Sequence, residues 1–435
     1  MTNELEVGQL RTGTLVDRDT STPEVQVLLE RTDSRICLTI SWSSPDSPYA
    51  RWFIASADDE FPVPSRLRFE DGHGVVELIG CWRQGVHARV RGAGSGRIWA
   101  KYAVLDVEHD VDYRRVGGLR TEVPGLRTWL GLRNWSQVFD PANGRRATIV
   151  REGREALVIG REDEGDVHLV FEPRSGWGSS ARSWTLEDDF WCTTSTAEPA
   201  TWTKHLEVHG SIRDLVILSG WAPQSCIPSH VQHPGDPELT YGDTVIGPSW
   251  RPVASARSAA SDTSPRRPSR QLIPYADLGS AGVQRWLKLQ RDFGRAIGPV
   301  VTSVDLGVGP TSALAHLGPG PEALGYLLDI EDGTPESSAR NRTLLWRLGR
   351  ILNEVGDVVP FEGDSWAEAF VTTYNGIKHA NRALPEEADI LNAINGAVLV
   401  VRAWVAHRLG VKPEHISQTL AMDRLNVRYH KLDEL

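Results

Sequence analysis

The feature that most constrains the fold is a change in hydrophobic period along the chain. Up to about residue 250, apolar residues come in short runs such as EVQVLLER and RICLTIS, broken by Pro, Ser and Asp. Such runs predict short β-strands. Beyond about residue 276 they recur at helical spacing, as in SAGVQRWLKLQRDFGRAIG, which predicts amphipathic helices. The sequence therefore predicts a multidomain α+β protein, β-rich first and helical afterwards.

Five segments follow from this change. The strand-rich runs predict two antiparallel β lobes with sandwich- or barrel-like packing, residues 1–112 and 141–250. VPGLRTWLGLRNW predicts a short helix in a helical bridge, residues 113–140. RPVASARSAASDTSPRRPSRQ is rich in Ser, Ala, Pro and Arg and has no apolar period, which predicts a flexible linker over 251–275. Residues 276–435 then form a helical domain.

Local patterns predict individual elements of the β lobes. SRLRFEDGHGVVELIGCW and RATIVREGREALVIGRE are each expected to form a hairpin. RWFIAS and TWTKHLEVHGSIRDLVILSGW are expected to be strands. The glycine-rich GAGSGR (residues 92–97) matches neither a P-loop nor a dinucleotide fingerprint, so a turn between strands is expected.

Two segments of the C-terminal part have strong helix signals. SSARNRTLLWRLGRILNEVG has serines at its start, an aliphatic stripe and Gly356 as a stop, so one continuous helix is expected. PEEADILNAINGAVLVVRAWVAHRLGVKP opens with Pro385 and two acids and ends at Gly410 and Pro413. The long aliphatic stripe of the second segment predicts the central helix of a bundle.

Composition excludes some functions. The net charge of −10 argues against a broad, sequence-independent grip on nucleic acid, although it allows a small basic site. The sixteen tryptophans are expected in the cores of the β lobes rather than on a stacking surface. The first residues do not resemble a signal peptide and no apolar run is long enough to span a membrane. With four scattered cysteines, this predicts a reduced, cytoplasmic protein with no membrane partner.

Two groups of histidines have the residue types of metal ligands. Cys226, His230 and His233 lie close together in CIPSHVQHPGD, but no fourth zinc ligand is apparent beside them. His205 and His209 would share one face of the predicted strand, where hydrogen-bonded histidines are the favoured interpretation. The sequence therefore predicts no metal and no cofactor.

The polar stretch YNGIKHANR lies between the two strong helical segments. Ser365 followed by Glu368 forms a predicted capping box, so a helix is expected from Ser365 towards Pro385. At 100° per residue, one face of that helix is apolar and buried. The apolar face consists of Trp366, Phe370, Thr373 and Ile377. The opposite, exposed face carries Asn375, Lys378, His379 and Arg382, with Tyr374 on the flank.

These polar residues suit one kind of chemistry. His379 can move a proton near neutral pH. Lys378 and Arg382 can stabilise a phosphate whose charge rises during transfer, and Asn375 can orient a ribose hydroxyl or the imidazole. The set fits cleavage of RNA in which the 2′-hydroxyl attacks the adjacent phosphorus. Many exposed helix faces carry the same residue types, so a solvated polar surface stays open.

The order of motifs resembles a known family. AFVTTYNGIKHANR, followed by INGAVLVVRAWVAHRLGVKPEHI, is similar to the C-terminal half of a HEPN domain. The subtype that it resembles is ApeA, a bacterial antiphage family in which a β-rich N-terminal region precedes a HEPN domain. GLRTEVPGLRTWLGLRNW and VELIGCW resemble elements of that N-terminal region.

The resemblance implies a site shared between two protomers. HEPN ribonucleases carry an arginine, usually followed by asparagine, and a histidine a few positions later. Asn375 and His379 match this signature, but the arginine position falls on Tyr374. A tyrosine has no fixed positive charge. Lys378 or Arg382 would have to replace the arginine, and the helical projection favours Arg382.

The function implied by the resemblance is abortive infection. The chain is expected to be a metal-independent HEPN endoribonuclease that cleaves RNA, tRNA among the candidates. It is expected to be a homodimer or higher homo-oligomer through its HEPN helices, with the β region as sensor or restraint for a phage-derived trigger. The alternative is a catalytically degenerate HEPN protein that binds RNA or protein and dimerises. A third hypothesis is that the β lobes have a separate sugar-binding or enzymatic activity. No motif in the sequence favours it.

Overall fold

The structure is a computed structural model of the whole chain. It describes residues 3–16, 24–54, 63–88, 92–107, 111–139, 147–151, 153–161, 166–179, 182–242, 244–256 and 270–430. The predicted linker falls largely on residues 257–269, which lie outside the described residues.

The described residues of the N-terminal part form strands and three helices. The strands among the described residues are β1 (Leu10–Val16), β2 (Val25–Arg31), β3 (Ile36–Trp42), β4 (Arg66–Asp71), β5 (Gly74–Ile79), β6 (Trp82–Ala88), β7 (Gly94–Ala100), β8 (Tyr102–Leu105), β9 (Arg115–Glu122), β10 (Trp135–Phe139), β11 (Ala147–Arg151), β12 (Leu157–Arg161), β13 (His168–Ser179), β14 (Trp184–Thr201), β15 (Ile227–Gln232), β16 (Glu238–Tyr241), β17 (Thr244–Pro248) and β18 (Arg251–Ser255). The helices are α1 (Pro48–Ile54), α2 (Leu126–Leu130) and α3 (Trp202–Gly220).

Fourteen of these strands form one antiparallel sheet. Its order is β12-β13-β14-β9-β15-β18-β8-β5-β4-β1-β2-β3-β7-β6, so within the described residues the sheet has two free edges and does not close into a barrel. The antiparallel β architecture predicted for the N-terminal part is thus confirmed. Strand β18 joins the two halves, because it pairs with β15 on one side and β8 on the other. The start of the segment predicted as linker is therefore a central strand of the sheet.

The predicted helical bridge is mostly not helical. Residues 115–122 form β9, which lies between β14 and β15 in the sheet. The short helix predicted from VPGLRTWLGLRNW is present as α2, with Leu126, Trp129 and Leu130 buried. The five-residue helix α2 follows the central strand β9 and does not separate two lobes, because strands before and after it belong to one large sheet.

The two predicted hairpins have different outcomes. The first is confirmed, because β4 and β5 pair from Arg66↔Ile79 to Asp71↔Gly74 around a two-residue turn. The second is wrong, since β11 pairs with β10 and β12 pairs with β13 at the edge of the large sheet. Alternating apolar residues predicted both strands, but the choice of partner depends on contacts distant in sequence.

Two predicted strands are helices. RWFIAS contributes its first residues to α1, in which Trp52 and Phe53 are buried. TWTKHLEVHGSIRDLVILSGW forms α3, whose buried face includes His205, His209 and Ile212. These positions have helical spacing, but histidine is usually counted as polar. The prediction failed because hydrogen bonds allow these histidines to occupy an apolar face.

The glycine-rich GAGSGR lies largely in β7 rather than in a turn. A Cβ atom on Gly94 would lie 2.7 Å from the Trp42 ring, and one on Gly96 would lie 2.3 Å from the Phe53 ring. The rings of Trp42 and Phe53 stack on each other with centroids 5.4 Å apart. These glycines therefore let a stacked aromatic pair pack directly on the strand backbone.

The C-terminal part is helical, as predicted. Its helices are α4 (Tyr275–Thr302), α5 (Pro310–Leu317), α6 (Pro319–Glu331), α7 (Glu336–Arg340), α8 (Leu344–Val355), α9 (Gly363–Lys378), α10 (Glu387–Arg408) and α11 (Pro413–Ala421), with one 3₁₀ turn, Ser303–Asp305, after α4. The helix predicted from SSARNRTLLWRLGRILNEVG is divided in two. Thr343 caps α8 by accepting a hydrogen bond from the Trp346 N–H at 3.2 Å, and Gly356 ends it at φ 67°.

Helix α10 is the central helix of the C-terminal part. It is long and apolar enough to cross a membrane, but 72% of its most apolar window is buried inside the protein. Val398, Val401 and Val405, on the predicted stripe, are at most 1% exposed. The long aliphatic run is therefore explained by packing in the helical core.

The C-terminal helices share one hydrophobic core with strands β12, β13 and β14 of the large sheet. The indole N–H of Trp129 in α2 donates to the Ile273 carbonyl at 2.7 Å, and the Gln284 side chain in α4 donates to the Ile159 carbonyl at 2.6 Å. Leu272 and Ile273, at the end of the predicted linker, are fully buried. The C-terminal part is thus packed on the sheet.

The tryptophans are divided between core and surface. All sixteen lie among the described residues, and half of them are buried. The buried ones are Trp42, Trp52, Trp129, Trp202, Trp221, Trp286, Trp366 and Trp404. The most exposed are Trp82, Trp177, Trp184 and Trp346. The expectation of core tryptophans holds for half of the set.

Candidate active site

Helix α9, which carries the motif, begins earlier than predicted. Its N-cap is Glu362, whose carboxylate accepts hydrogen bonds from the N–H groups of Asp364 at 3.2 Å and Ser365 at 2.6 Å. The predicted capping box of Ser365 and Glu368 is therefore wrong. A carboxylate satisfies the free N–H groups of a first helical turn as well as a hydroxyl does.

Helix α9 also ends earlier than predicted. Its last residue is Lys378, and His379 has extended backbone angles. The Arg382 N–H donates to the His379 carbonyl at 3.0 Å, closing a turn. A Cβ atom on Gly376 would lie 2.9 Å from the Ala383 carbonyl, so the chain folds back across the last turn of the helix at this glycine. His379 and Arg382 are therefore on one turn after the helix, and the prediction that they share its polar face is wrong.

His379 and Arg382 are both exposed. Neither side chain forms a hydrogen bond or an ion pair with another residue in the part of the chain that the structure describes. The His379 N–H donates to the Asn375 carbonyl at 3.1 Å, which ties the turn to the helix, and Asn375 itself is half-buried. The arrangement leaves an imidazole and a guanidinium three residues apart and open to solvent.

Tyr374 belongs to the core rather than to the flank of an exposed face. It is only 4% exposed, and its ring lies 5.7 Å from that of Phe370. A Cβ atom on Gly318, between α5 and α6, would lie 2.2 Å from the Tyr374 ring. Burial and then the nearby Glu322 carboxylate raise the pKa of Tyr374 to about 12, so its phenol stays neutral at physiological pH.

Lys378 is directed towards α6. Its Nζ lies 3.3 Å from the Glu322 carboxylate and 5.4 Å from the centre of the Tyr374 ring. Glu322 also accepts a hydrogen bond from Arg347 of α8 at 3.3 Å. The sequence reasoning missed Glu322, because its role depends on three helices meeting and leaves no local signal. The charge of Lys378 is therefore partly compensated, whereas Arg382 has no ion-pair partner in the part of the chain that the structure describes.

Cys226, His230 and His233 do not form a metal site in the structure. His230 packs against the Trp191 ring, and burial, with Arg120 and Arg174 nearby, lowers its pKa to about 4. The ring of His233 packs against Tyr113 instead. No group of three or more His, Cys, Asp or Glu among the described residues is arranged to hold a metal ion.

His205 and His209 are fully buried, and both are hydrogen-bonded, as the favoured interpretation expected. The Thr194 hydroxyl lies 2.9 Å from His205 Nδ1 and 2.7 Å from His209 Nε2. The Thr121 hydroxyl lies 2.8 Å from His209 Nδ1. The pair thus joins α3 to β14 and β9.

Comparison with known families agrees with both parts of the structure. Residues 19–288, more than half of the chain, match the family model described as ApeA N-terminal domain 1. Residues 329–415 match the family model described as Apea-like HEPN, and this range contains the whole of α9 and the turn after it. Comparisons with curated proteins and with solved structures found no match.

The two matches follow the division of the chain. The first covers most of the antiparallel sheet and ends in α4, and the second covers α7 to α10 and so includes Asn375 and His379. The resemblance inferred from YNGIKHANR is thereby confirmed. The chain belongs to the ApeA family of antiphage HEPN proteins.

Proposed function

We propose that this protein is a cytoplasmic antiphage effector that cleaves RNA with its HEPN domain and so causes abortive infection. The observation that carries the proposal is the turn after α9, where His379 and Arg382 are exposed and without side-chain partners among the described residues. A buried or ion-paired histidine would be poorly suited to exchange protons with a substrate. An exposed imidazole three residues before a guanidinium that has no ion-pair partner among the described residues suits a reaction at a phosphodiester.

In this reaction the 2′-oxygen of a ribose attacks the adjacent phosphorus. The proton of the 2′-hydroxyl passes to the neutral imidazole of His379 as the oxygen–phosphorus bond forms. The bond from phosphorus to the 5′-oxygen then breaks, and that oxygen takes a proton from His379 of a second copy of the chain. The products are a 2′,3′-cyclic phosphate and a 5′-hydroxyl, and no group is oxidised or reduced.

Arg382 would provide the positive charge in place of the arginine that the HEPN signature places at position 374. Its guanidinium can donate two parallel hydrogen bonds to phosphate oxygens. Lys378 is less suited to this role, since its Nζ is 3.3 Å from the Glu322 carboxylate. Tyr374 takes no part in the proposed reaction, because its ring is buried against α5 and α6.

Cleavage of total bacterial RNA by the purified protein tests the proposal. Without added metal, with a chelator and with phage lysate present to supply the trigger, the wild type should produce cyclic phosphate ends. His379→Ala should lower the rate by at least about 100-fold, which is the contribution expected of one acid–base group. His407→Ala removes another exposed histidine, at the end of α10, and should leave the rate unchanged. Equal rates for His379→Ala and the wild type would refute the assignment.

A second experiment addresses defence. Bacteria that express the wild type or His379→Ala are challenged with phage while RNA ends are sequenced. The wild type should protect the culture, and new RNA ends, in tRNA or another RNA, should accumulate after infection. In this proposal the sheet region restrains or senses, and a phage-derived molecule is the trigger. Protection by His379→Ala at the wild-type level would show that defence does not need this histidine.

The buried position of Tyr374 favours a second function. A HEPN domain that lacks the signature arginine and uses the position for packing would hold RNA or a protein partner without cleaving RNA. In that case the purified protein should form dimers and bind RNA, but leave it intact with or without phage lysate. The cleavage assay above separates the two functions, because both involve a dimer and only the first cleaves RNA.

A further inference from the structure

The hairpin of β13 and β14 extends beyond the sheet that it belongs to. Its ladder runs without a shift from His168↔Ser195 to Ser179↔Trp184. The neighbouring strands stop earlier, because β12 pairs only as far as Phe171 and β9 only as far as Trp191. The outer part, residues 173–179 and 184–190, is therefore a projecting arm without a flanking strand of the large sheet.

Two tryptophans are stacked near the tip of this arm. Trp177 and Trp184 are 65% and 72% exposed, and their rings lie 5.6 Å apart at an interplanar angle of 13°. Burial of a tryptophan is worth several kcal/mol in general, so a surface position for two of them in contact is unusual. The free faces of the stack are available to a planar ligand.

The stacked tryptophans lie on the same face of the arm as a cleft. Side chains alternate along a strand, so Trp184, Leu186 and Asp188 share one face, and Trp177 lies opposite Leu186. Leu186 and Asp188 line a cleft of about 650 Å³. The other side of the cleft is formed by Trp135, Gln137 and neighbouring residues of the small sheet of β10 and β11.

The cleft is lined by cations. Arg127, Arg133 and Arg154 line it, and Asp188 is the acid among its lining residues. The Asp188 carboxylate already has two partners in the protein, because it accepts hydrogen bonds from Arg127 at 3.4 Å and from the Asn134 N–H at 2.9 Å. The cleft therefore has an excess of positive charge although the whole chain is acidic.

The two remaining arginines are open to a ligand. Arg133 and Arg154 are both exposed. The Arg154 guanidinium donates to the Arg133 carbonyl at 3.2 Å and 3.1 Å, which holds the two residues side by side. Glu187 and Asp189 point to the other face of the arm, where Arg174 lies 3.6 Å from the Glu187 carboxylate. Glu187 and Asp189 thus do not oppose an anion in the cleft, and Asp188 is the acid of the arm that lines it.

We propose that this face of the arm binds single-stranded nucleic acid. Phosphates would lie on Arg133 and Arg154, and unpaired bases would stack on Trp177 and Trp184. An aromatic stack next to a cationic groove is the combination that binds single strands with little sequence preference. A duplex has no free base faces for the stack. The site is on the sheet region, away from α9, and the proposal is independent of RNA cleavage.

Binding of a labelled oligonucleotide to the full-length protein tests the proposal. Fluorescence anisotropy with a twelve-residue oligo(dT) is suitable, because DNA lacks the 2′-hydroxyl and is not cleaved by the proposed reaction. Two phosphate contacts on a single strand predict that affinity falls about sevenfold between 50 and 200 mM salt. Trp177→Ala and Trp184→Ala should each weaken binding about tenfold. Trp184→Phe should retain most of the affinity, since a phenyl ring still stacks.

Charge variants and controls complete the test. The double variant Arg133→Ala and Arg154→Ala should weaken binding and remove most of the salt dependence. Trp346→Ala and Arg340→Ala change an exposed tryptophan and an exposed arginine of the helical part, and should bind like the wild type.

Several results would overturn the proposal. Absence of binding at 50 mM salt is one, and equal binding by the Trp177→Ala and wild-type proteins is another. Loss of binding in Arg382→Ala would place the oligonucleotide at the HEPN turn instead. Displacement of oligo(dT) by poly-glutamate at an equal concentration of charge would show that the cleft takes acidic peptides, because a peptide of glutamates offers no base to stack.

Discussion

Replacement of Arg402 by methionine should strongly destabilise the protein. Arg402 lies in α10, the core helix of the HEPN domain, and its side chain is 1% exposed. It pairs with Asp423 at 2.6 Å and donates to the Leu218 carbonyl, at the end of α3, at 2.8 Å. One buried guanidinium thus joins the HEPN core to the sheet region.

The magnitude follows from the groups that lose their partner. Asp423 has a side chain only 10% exposed, and removing one member of a buried ion pair costs roughly 3–5 kcal/mol. The Leu218 carbonyl also loses a charged donor. We therefore expect Arg402→Met to lower the free energy of unfolding by about 4 kcal/mol, which is a large share of the roughly 5–15 kcal/mol typical of a folded protein.

Chemical denaturation followed by tryptophan fluorescence measures this loss, since Trp221 lies 5.4 Å from the Arg402 guanidinium. Hydrogen exchange should show faster exchange at the end of α3 and in α10. Arg340→Met is the matched control, because Arg340 forms an exposed pair with Glu336 and its loss should cost less than about 0.5 kcal/mol.

A double-mutant cycle separates the ion pair from general packing. Asp423→Asn should cost less in the Arg402→Met background than in the wild type, by about 2 kcal/mol. Two results would refute the reasoning. One is a stability of Arg402→Met within 1 kcal/mol of the wild type (roughly the cost of an ordinary substitution). The other is an Asp423→Asn cost that is the same in both backgrounds.

Three further predictions concern the core and pH. Tyr374→Phe should leave the melting temperature unchanged. Tyr374→Arg restores the arginine of the HEPN signature, but it should lower the melting temperature in calorimetry because it buries a charge against Gly318. An Arg variant as stable as the wild type would contradict the burial of position 374. Gly396→Ala should destabilise the protein, since the new Cβ atom would lie 2.0 Å from the Trp366 indole nitrogen. Circular dichroism should show a loss of helical signal on mild heating. A melting temperature higher than that of the wild type would contradict this prediction. Burial and then a neighbouring histidine lower the pKa of His209 to about 3, below the 6.5 of an unfolded histidine. Stability is therefore full above pH 6.5 and falls as pH drops from 6.5 towards 3, by about 2 kcal/mol at pH 5. His209→Gln should flatten this dependence in urea titrations at several pH values, and an unchanged slope would exclude His209 as its source.

The sequence by itself determined the features that depend on local pattern. The order of a β-rich part and a helical part, the β4–β5 hairpin, the stop of α8 at Gly356 and the aliphatic stripe of α10 follow from hydrophobic period and turn chemistry. The resemblance of the YNGIKHANR region to a HEPN domain is likewise carried by residue types and their spacing along the chain. These signals need no partner from elsewhere in the molecule.

Only the tertiary structure decided the features that depend on distant partners. The helical projection placed Tyr374 on a flank, and the packing of α5 and α6 around Gly318 decided that it is buried. Glu322 became the partner of Lys378 because α6, α8 and α9 meet. His205 and His209 can be buried in α3 because their rings form hydrogen bonds with Thr121 and Thr194. In each case the deciding group is far away in sequence, so no local pattern can report it.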